Sequence, residues 1–197
     1  MRVAVPQQSV TRLLRWSQVA LGAAAVGMLG YCALVLTDTW IFQKQTRRLF
    51  DQSYSLPSSR PVQHASEATG LVGRIDIPRL GVSVVVAEGT DESTLRRAAG
   101  HILGTGLPGR AGNVGIAGHR DTLFRPLRNI RQDDLITLST LGGYYRYRVV
   151  STQVVSPSDV DVLNPDGHDI LTLVTCHPFY FIGPAPNRFI VRATRII

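Results

Sequence analysis

The sequence predicts a mainly β domain, a barrel or sandwich, carried behind one N-terminal membrane helix. Three observations point there. Residues 19–36 read VALGAAAVGMLGYCALVL, an apolar stretch without a charge. From residue 71 onward, short alternating or β-branched runs follow one another, separated by Gly- and Pro-containing turns. Positive charge gathers beside the apolar stretch and thins out beyond it.

A chain of 197 residues accommodates one domain with a substantial core plus an anchor. The hydrophobic fraction of 44% is ordinary for a globular protein and excludes disordered, collagen-like and disulfide-scaffold classes. The net charge of +7 invites a nucleic-acid reading, but its distribution argues against one. Residues 1–50 hold Arg2, Arg12, Arg15, Lys44, Arg47 and Arg48 against the single acid Asp38. The remainder is nearly balanced and has no basic stripe or base-reading motif, so no nucleic-acid partner is expected. The basic residues lie where they meet anionic lipid headgroups, so membrane lipid is the expected neighbour.

The apolar stretch is about the minimum length for a membrane span. Trp16 and Trp40 flank it as interfacial residues do. Arg12 and Arg15 precede it and Asp38 follows it, which places the N-terminus in the cytoplasm; Lys44, Arg47 and Arg48 on the far side oppose that orientation without reversing it. A cleaved signal peptide fits less well, because no small-residue A-x-A site closes the segment. The sequence LGYC resembles a lipoprotein cleavage box, but bulky Tyr31 stands directly before Cys32. The expected organisation is therefore a cytoplasmic N-terminus at 1–18, a signal anchor at 19–37, a juxtamembrane helix and linker at 38–70, and a folded β domain at 71–197. Within the connector, 39–52 continues as helix, and Pro57 and Pro61 then break the chain.

In the domain, VGRIDI alternates and stops at Pro78, and SVVVAEG is a short β-branched run. DESTLRRAA reads as a short helix capped by Asp91 or Ser93. NVGIAGH is an apolar run bounded by Gly, TLFRPLRNI a broken helical turn, and DLITLST a strand. YYRYRVVSTQVV is a longer strand with Tyr145, Tyr147 and Val149 on one face and Arg146 and Arg148 on the other. DILTLVTC and RFIVRATRI close the chain.

The chemistry centres on Cys176. Cys32 falls in the apolar stretch, so Cys176 is a lone thiol in the domain. A lone cysteine is ordinarily a small buried hydrophobe. This one ends a strand and is followed by the loop HPFYFIGPAPN, a place where substrate can reach it. A catalytic thiol needs a proton partner, normally imidazole. His64 falls in the linker, His168 in the turn NPDGHD, and His101 follows a glycine as a structural residue does. His177 adjoins Cys176 on the same strand and so points to the opposite face. His119, ending NVGIAG, is the strongest candidate. Arg188 opens the last strand, and a hairpin would bring it beside Cys176 to hold a carbonyl or its oxyanion. On spacing alone, Arg188 is as readily a surface residue of an edge strand.

Taken together, TLVTC, the segment GNVGIAGHR before it and Arg188 twelve residues after the cysteine resemble the sortase family. The likeness spans roughly 71–197, and the form TLVTCHPF is most like class D, with class E next. It implies an eight-stranded β-barrel with short helices, with His119, Cys176 and Arg188 at one rim. It also implies a cysteine transpeptidase. In that mechanism Cys176 attacks the carbonyl after Thr in a C-terminal sorting signal such as LPxTG, and cationic His119 protonates the leaving amine. Arg188 holds the carbonyl, and an amine acceptor, a peptidoglycan precursor or a pilin Lys, resolves the thioester. Thr175 is implied as a substrate contact. No cofactor is expected. The acids Asp133, Asp134, Asp159 and Asp161 read as solvated turn residues rather than a metal cage, and there is no HExxH or CxxC. Two rivals share these residues: an anchored cysteine peptidase that only hydrolyses, and an anchored β-domain that binds ligands without catalysis. An L,D-transpeptidase is weaker, since TLVTCHP lacks an SHGxC pattern.

Overall fold

A computed structural model describes residues 7–53 and 70–196. The chain divides into two units, the first ending at Ile41 and the second beginning at Phe42. One helix, α1, runs from Gln7 to Ser53. Within it, Leu14–Leu34 is apolar and long enough to cross a membrane. The Pro57–Pro61 break expected in the linker, and His64, lie outside the described residues.

The expected mainly β architecture is present as a closed barrel of eight strands. They are β1 Leu71–Ile77, β2 Val82–Glu88, β3 Ala99–His101, β4 Asn113–Ala117, β5 Leu135–Thr140, β6 Gly143–Val155, β7 Ile170–His177 and β8 Asn187–Ile196. Around the barrel the order is β1, β2, β3, β4, β7, β8, β6, β5. The pairs β2–β3 and β4–β7 are parallel and the others antiparallel. Closure excludes the sandwich: β5 pairs with β1 through Arg74–Ser139, Ile75–Leu138 and Asp76–Thr137, leaving no open edge.

Period-2 alternation fills the interior. Ile75, Ile77, Val86, Ile116, Ile136, Leu138, Leu171, Leu173 and Val191 are wholly buried. Tyr147 and Val149 point inward, and Arg146 and Arg148 are exposed, as the alternation of β6 requires. Burial pushes the Tyr147 phenol up to about 12.

Two sequence readings need correction. The expected helix over 91–99 is shorter: α2 spans Glu92–Arg97, and Asp91 caps it by accepting from Ser93 N at 3.0 Å and Thr94 N at 3.1 Å. Ala99 belongs to β3 instead, because tertiary pairing with β2 overrides local helix preference. Gly100 makes that approach possible, since a Cβ there would lie 2.2 Å from the Gly89 carbonyl oxygen. Asp134, read as a solvated acid, is buried; its carboxylate accepts from Arg79 Nε and Nη2 and from Arg131 N. The Arg79 guanidinium and the Arg131 amide hold that carboxyl below the usual range, against the opposing effect of burial.

Candidate active site

Three neighbouring strands, β4, β7 and β8, bring the candidate residues to one end of the barrel. Leu171 and Leu173 on β7 face the core, so Thr172, Val174 and Cys176 share the opposite face. Cys176 is half-buried. Across the antiparallel ladder its direct partner is Arg188. Directly opposed residues share a face with Cβ atoms about 5 Å apart, so the thiol and the guanidinium stem are neighbours. Arg188 Nη1 donates to Ala185 O at 3.3 Å and to Asn187 O at 3.1 Å, which holds the side chain along the β7–β8 loop.

His119 arrives from the other side. The parallel pairing of β4 with β7 sets Ala117 against Val174. Gly118 N then donates to Val174 O at 3.0 Å, continuing the ladder past the strand end. His119 follows two residues after the Ala117–Val174 pair, as Cys176 does on β7, so both stand at the same end of the barrel. His119 is exposed, and its carbonyl accepts from Phe124 N at 3.0 Å, which closes a turn. Gly118 is required there: a Cβ would lie 2.6 Å from the ring of Phe124, which is wholly buried.

Thr175 stands elsewhere. It is 2% exposed and lies on the face opposite to Cys176. Its hydroxyl donates to Gly118 O at 2.7 Å, tying the strand of Cys176 to the turn of His119. The side chain thus touches the protein interior, whereas the family likeness implied a substrate contact.

The other described histidines are engaged elsewhere. His177 points to the opposite face, stacked on Phe189 with centroids 6.2 Å apart and edge-on to Phe179 at 6.0 Å. Its Nδ1 is buried without a hydrogen-bond partner among the described residues. His101 is buried and bridges elements: Nδ1 lies 2.8 Å from Glu88 Oε1 and Nε2 lies 2.9 Å from Gly106 O. His168 is exposed beside Asp166.

Two residues that sequence reasoning passed over shape the surroundings. Asn113, buried at the start of β4, accepts from Thr172 Oγ1 at 2.7 Å and donates to Val162 O and Asn164 O, pinning the β6–β7 loop to the sheet. Arg120, next to His119, is only 6% exposed. Its one sequence signal was its place in AGHR; nothing in the pattern said that it would be buried. Among the described residues, no group of three or more His, Cys, Asp or Glu side chains is arranged to hold a metal.

The fold and these positions define a class: a closed β-barrel that presents a cysteine at a strand end, with an arginine directly across the ladder. The Sortase domain family model matches residues 75–196, and the chain belongs to the sortase family. Members of that family are cysteine transpeptidases. Sortase D of Bacillus subtilis (strain 168) is 30% identical over 152 residues, covering 77% of this chain and 74% of that protein. Sortase SrtE1 of Streptomyces coelicolor is 32% identical over 190 residues, which is 86% of this chain and 48% of that one. The chain thus spans about half the length of that relative. Among solved structures, a Clostridium perfringens Sortase D5 transpeptidase superposes with a TM-score of 0.63 at 29% identity, covering 79% of this chain and 96% of that one.

Proposed function

We propose that the protein is a membrane-anchored sortase that cleaves a C-terminal LPxTG-like sorting signal and transfers the acyl group to an amine of the cell envelope or of a pilin. The observation that carries this reading is the cross-strand pair Cys176–Arg188, with the parallel register of β4 leading to His119. The Cys176 thiolate attacks the carbonyl carbon after the Thr of the signal. Arg188 donates to the carbonyl oxygen as it becomes an oxyanion. His119 passes its proton to the departing amine, the C–N bond breaks, and a thioester on Cys176 remains. An incoming amine gives a proton to His119 and attacks the thioester, restoring the thiolate and forming a new amide.

The anchor reading rests on the apolar stretch of α1, whose described side chains, Leu21, Val26 and Leu29 among them, are exposed rather than packed in a core. In this organisation 1–18 is cytoplasmic, 19–37 spans the bilayer, 38–70 connects, and 71–197 is the extracytoplasmic catalytic domain. The basic residues flanking the span meet lipid headgroups.

The test uses the full chain in detergent with a library of C-terminal sorting peptides, with and without added amines. The expected result is a mass-shifted adduct on Cys176 and an amide product. Hydrolysis alone under every amine would favour the peptidase rival. No adduct, with Cys176 also inert to a small methanethiosulfonate, would leave only a binding module.

A further inference from the structure

The guanidinium of Arg120 is nearly shut off from water, and a buried cation must have its donors met. Three of its partners are backbone carbonyls of a single loop, the one joining β7 to β8. Nη1 donates to Pro178 O at 2.9 Å. Nη2 donates to Phe181 O at 2.6 Å and to Gly183 O at 3.0 Å. Nε faces Asp121 Oδ2 at 3.4 Å, and that carboxylate is largely exposed. Arg120 follows His119 directly in the chain, so one residue joins the imidazole turn to the loop beside Cys176 and Arg188.

We infer that Arg120 is a positioning residue that clamps residues 178–186 to the turn bearing His119, so that the loop met by substrate and the imidazole keep one geometry. The inference rests on the proposed roles of Cys176, His119 and Arg188. Burial holds only the start of the loop, where Phe179 packs against the core and Phe189, and Arg128 Nη1 donates to the Tyr180 hydroxyl at 3.1 Å; beyond them burial does little. Tyr180 is 78% exposed and Ile182 98%, and Phe181 is also exposed. With the carbonyls of 178, 181 and 183 turned in to one guanidinium, these apolar side chains are turned out. Near the end of the loop, Ala185 O accepts from Arg188 Nη1 at 3.3 Å. Disorder in it therefore reaches the residue across from the thiol as well as the surface that an apolar sorting segment would meet. A planar fork of donors is needed, because three carbonyls are engaged by two terminal nitrogens of fixed spacing. An ammonium is a single point and cannot span them.

The experiment compares the full-length protein with Arg120→Lys in detergent. In the variant, amide hydrogen exchange of 178–186 accelerates while β4, β7 and β8 stay protected. KM for a reactive sorting peptide rises by about tenfold or more, while labelling of Cys176 by a small methanethiosulfonate changes less than about twofold. Unchanged exchange in 178–186, or faster exchange with KM unaltered, overturns the clamp. Should the variant unfold as a whole, the wild type decides. Under increasing denaturant, residues 119–123 and 178–184 open with one common dependence if clamped and with different ones if not. Absence of any acyl adduct on wild-type Cys176 would sink the functional reading alone, and the exchange measurements would still test the clamp.

Discussion

Replacing Thr175 by valine removes one hydroxyl and almost no volume, which makes it a sharp probe of how the site is held. In the native protein that hydroxyl donates to Gly118 O at 2.7 Å, and the residue is 2% exposed. Water cannot replace the lost donor, so the carbonyl keeps its desolvation cost without a partner. Such a loss costs about 1–3 kcal/mol, and the burial here favours the middle of that range, about 2 kcal/mol. For a domain of this size that lowers the melting temperature by about 6–10 °C. The Gly118 carbonyl immediately precedes His119, so the turn loses one of its two ties to β7, the Gly118 N–Val174 O bond remaining, and kcat falls with stability, while KM changes little. Circular dichroism melting and steady-state kinetics on a fluorogenic sorting peptide measure both. A variant that melts like the wild type but shows a many-fold higher KM would refute this reasoning and restore Thr175 to direct substrate contact.

Two further outcomes follow from the same geometry. Gly118→Ala forces a methyl group to within 2.6 Å of the buried Phe124 ring, an overpacking cost of about 1–3 kcal/mol, and shifts the His119 turn; reduced kcat with a lowered melting temperature is expected, and full activity would contradict it. Asp134 titrates below its ordinary range in the folded state because Arg79 donates to it, with the Arg131 amide adding to the effect. Its stabilisation is therefore complete above the unfolded value of about 3.9 and is lost as pH falls through the lower folded value. Asp134→Asn should cost about 1–2 kcal/mol at neutral pH, discounted because Arg79 is partly exposed, and the gap to wild type should narrow as pH falls below the unfolded value of about 3.9 in urea titrations. A gap that persists at low pH would show that the loss is not electrostatic.

Much of the fold was legible because it depends on local pattern. Alternation in YYRYRVV set the inner face of β6, and Gly and Pro marked most strand ends. β3 escaped detection because three residues carry no period, and its strand character comes from pairing with β2 and β4. The strand pattern alone left sandwich and barrel open, since β5 and β1 are distant in sequence and no local signal records their pairing; the barrel was foreseen only through the family resemblance. At the site, His177 could be set aside by alternation alone, and the hairpin joining β7 to β8 foretold the Cys176–Arg188 neighbourhood. The burial of Asp134 and Arg120 could not be foreseen. Charged residues are usually exposed, and the partners that make their burial tolerable come from other parts of the chain: Arg79 for Asp134, and the 178–183 carbonyls for Arg120.

By itself, then, the sequence determined which residues are candidates for reactive chemistry, which segment is apolar enough for a bilayer, and which side chains of β6 face inward. These depend on side-chain type and on the periodicity of a strand or helix, which neighbours in the chain already specify. Only the tertiary structure decided that Thr175 is buried against Gly118, that Asn113 pins one loop and that Arg120 holds another. Those contacts join segments about fifty to sixty residues apart, and a hydrogen bond across that separation exists only once the barrel has closed.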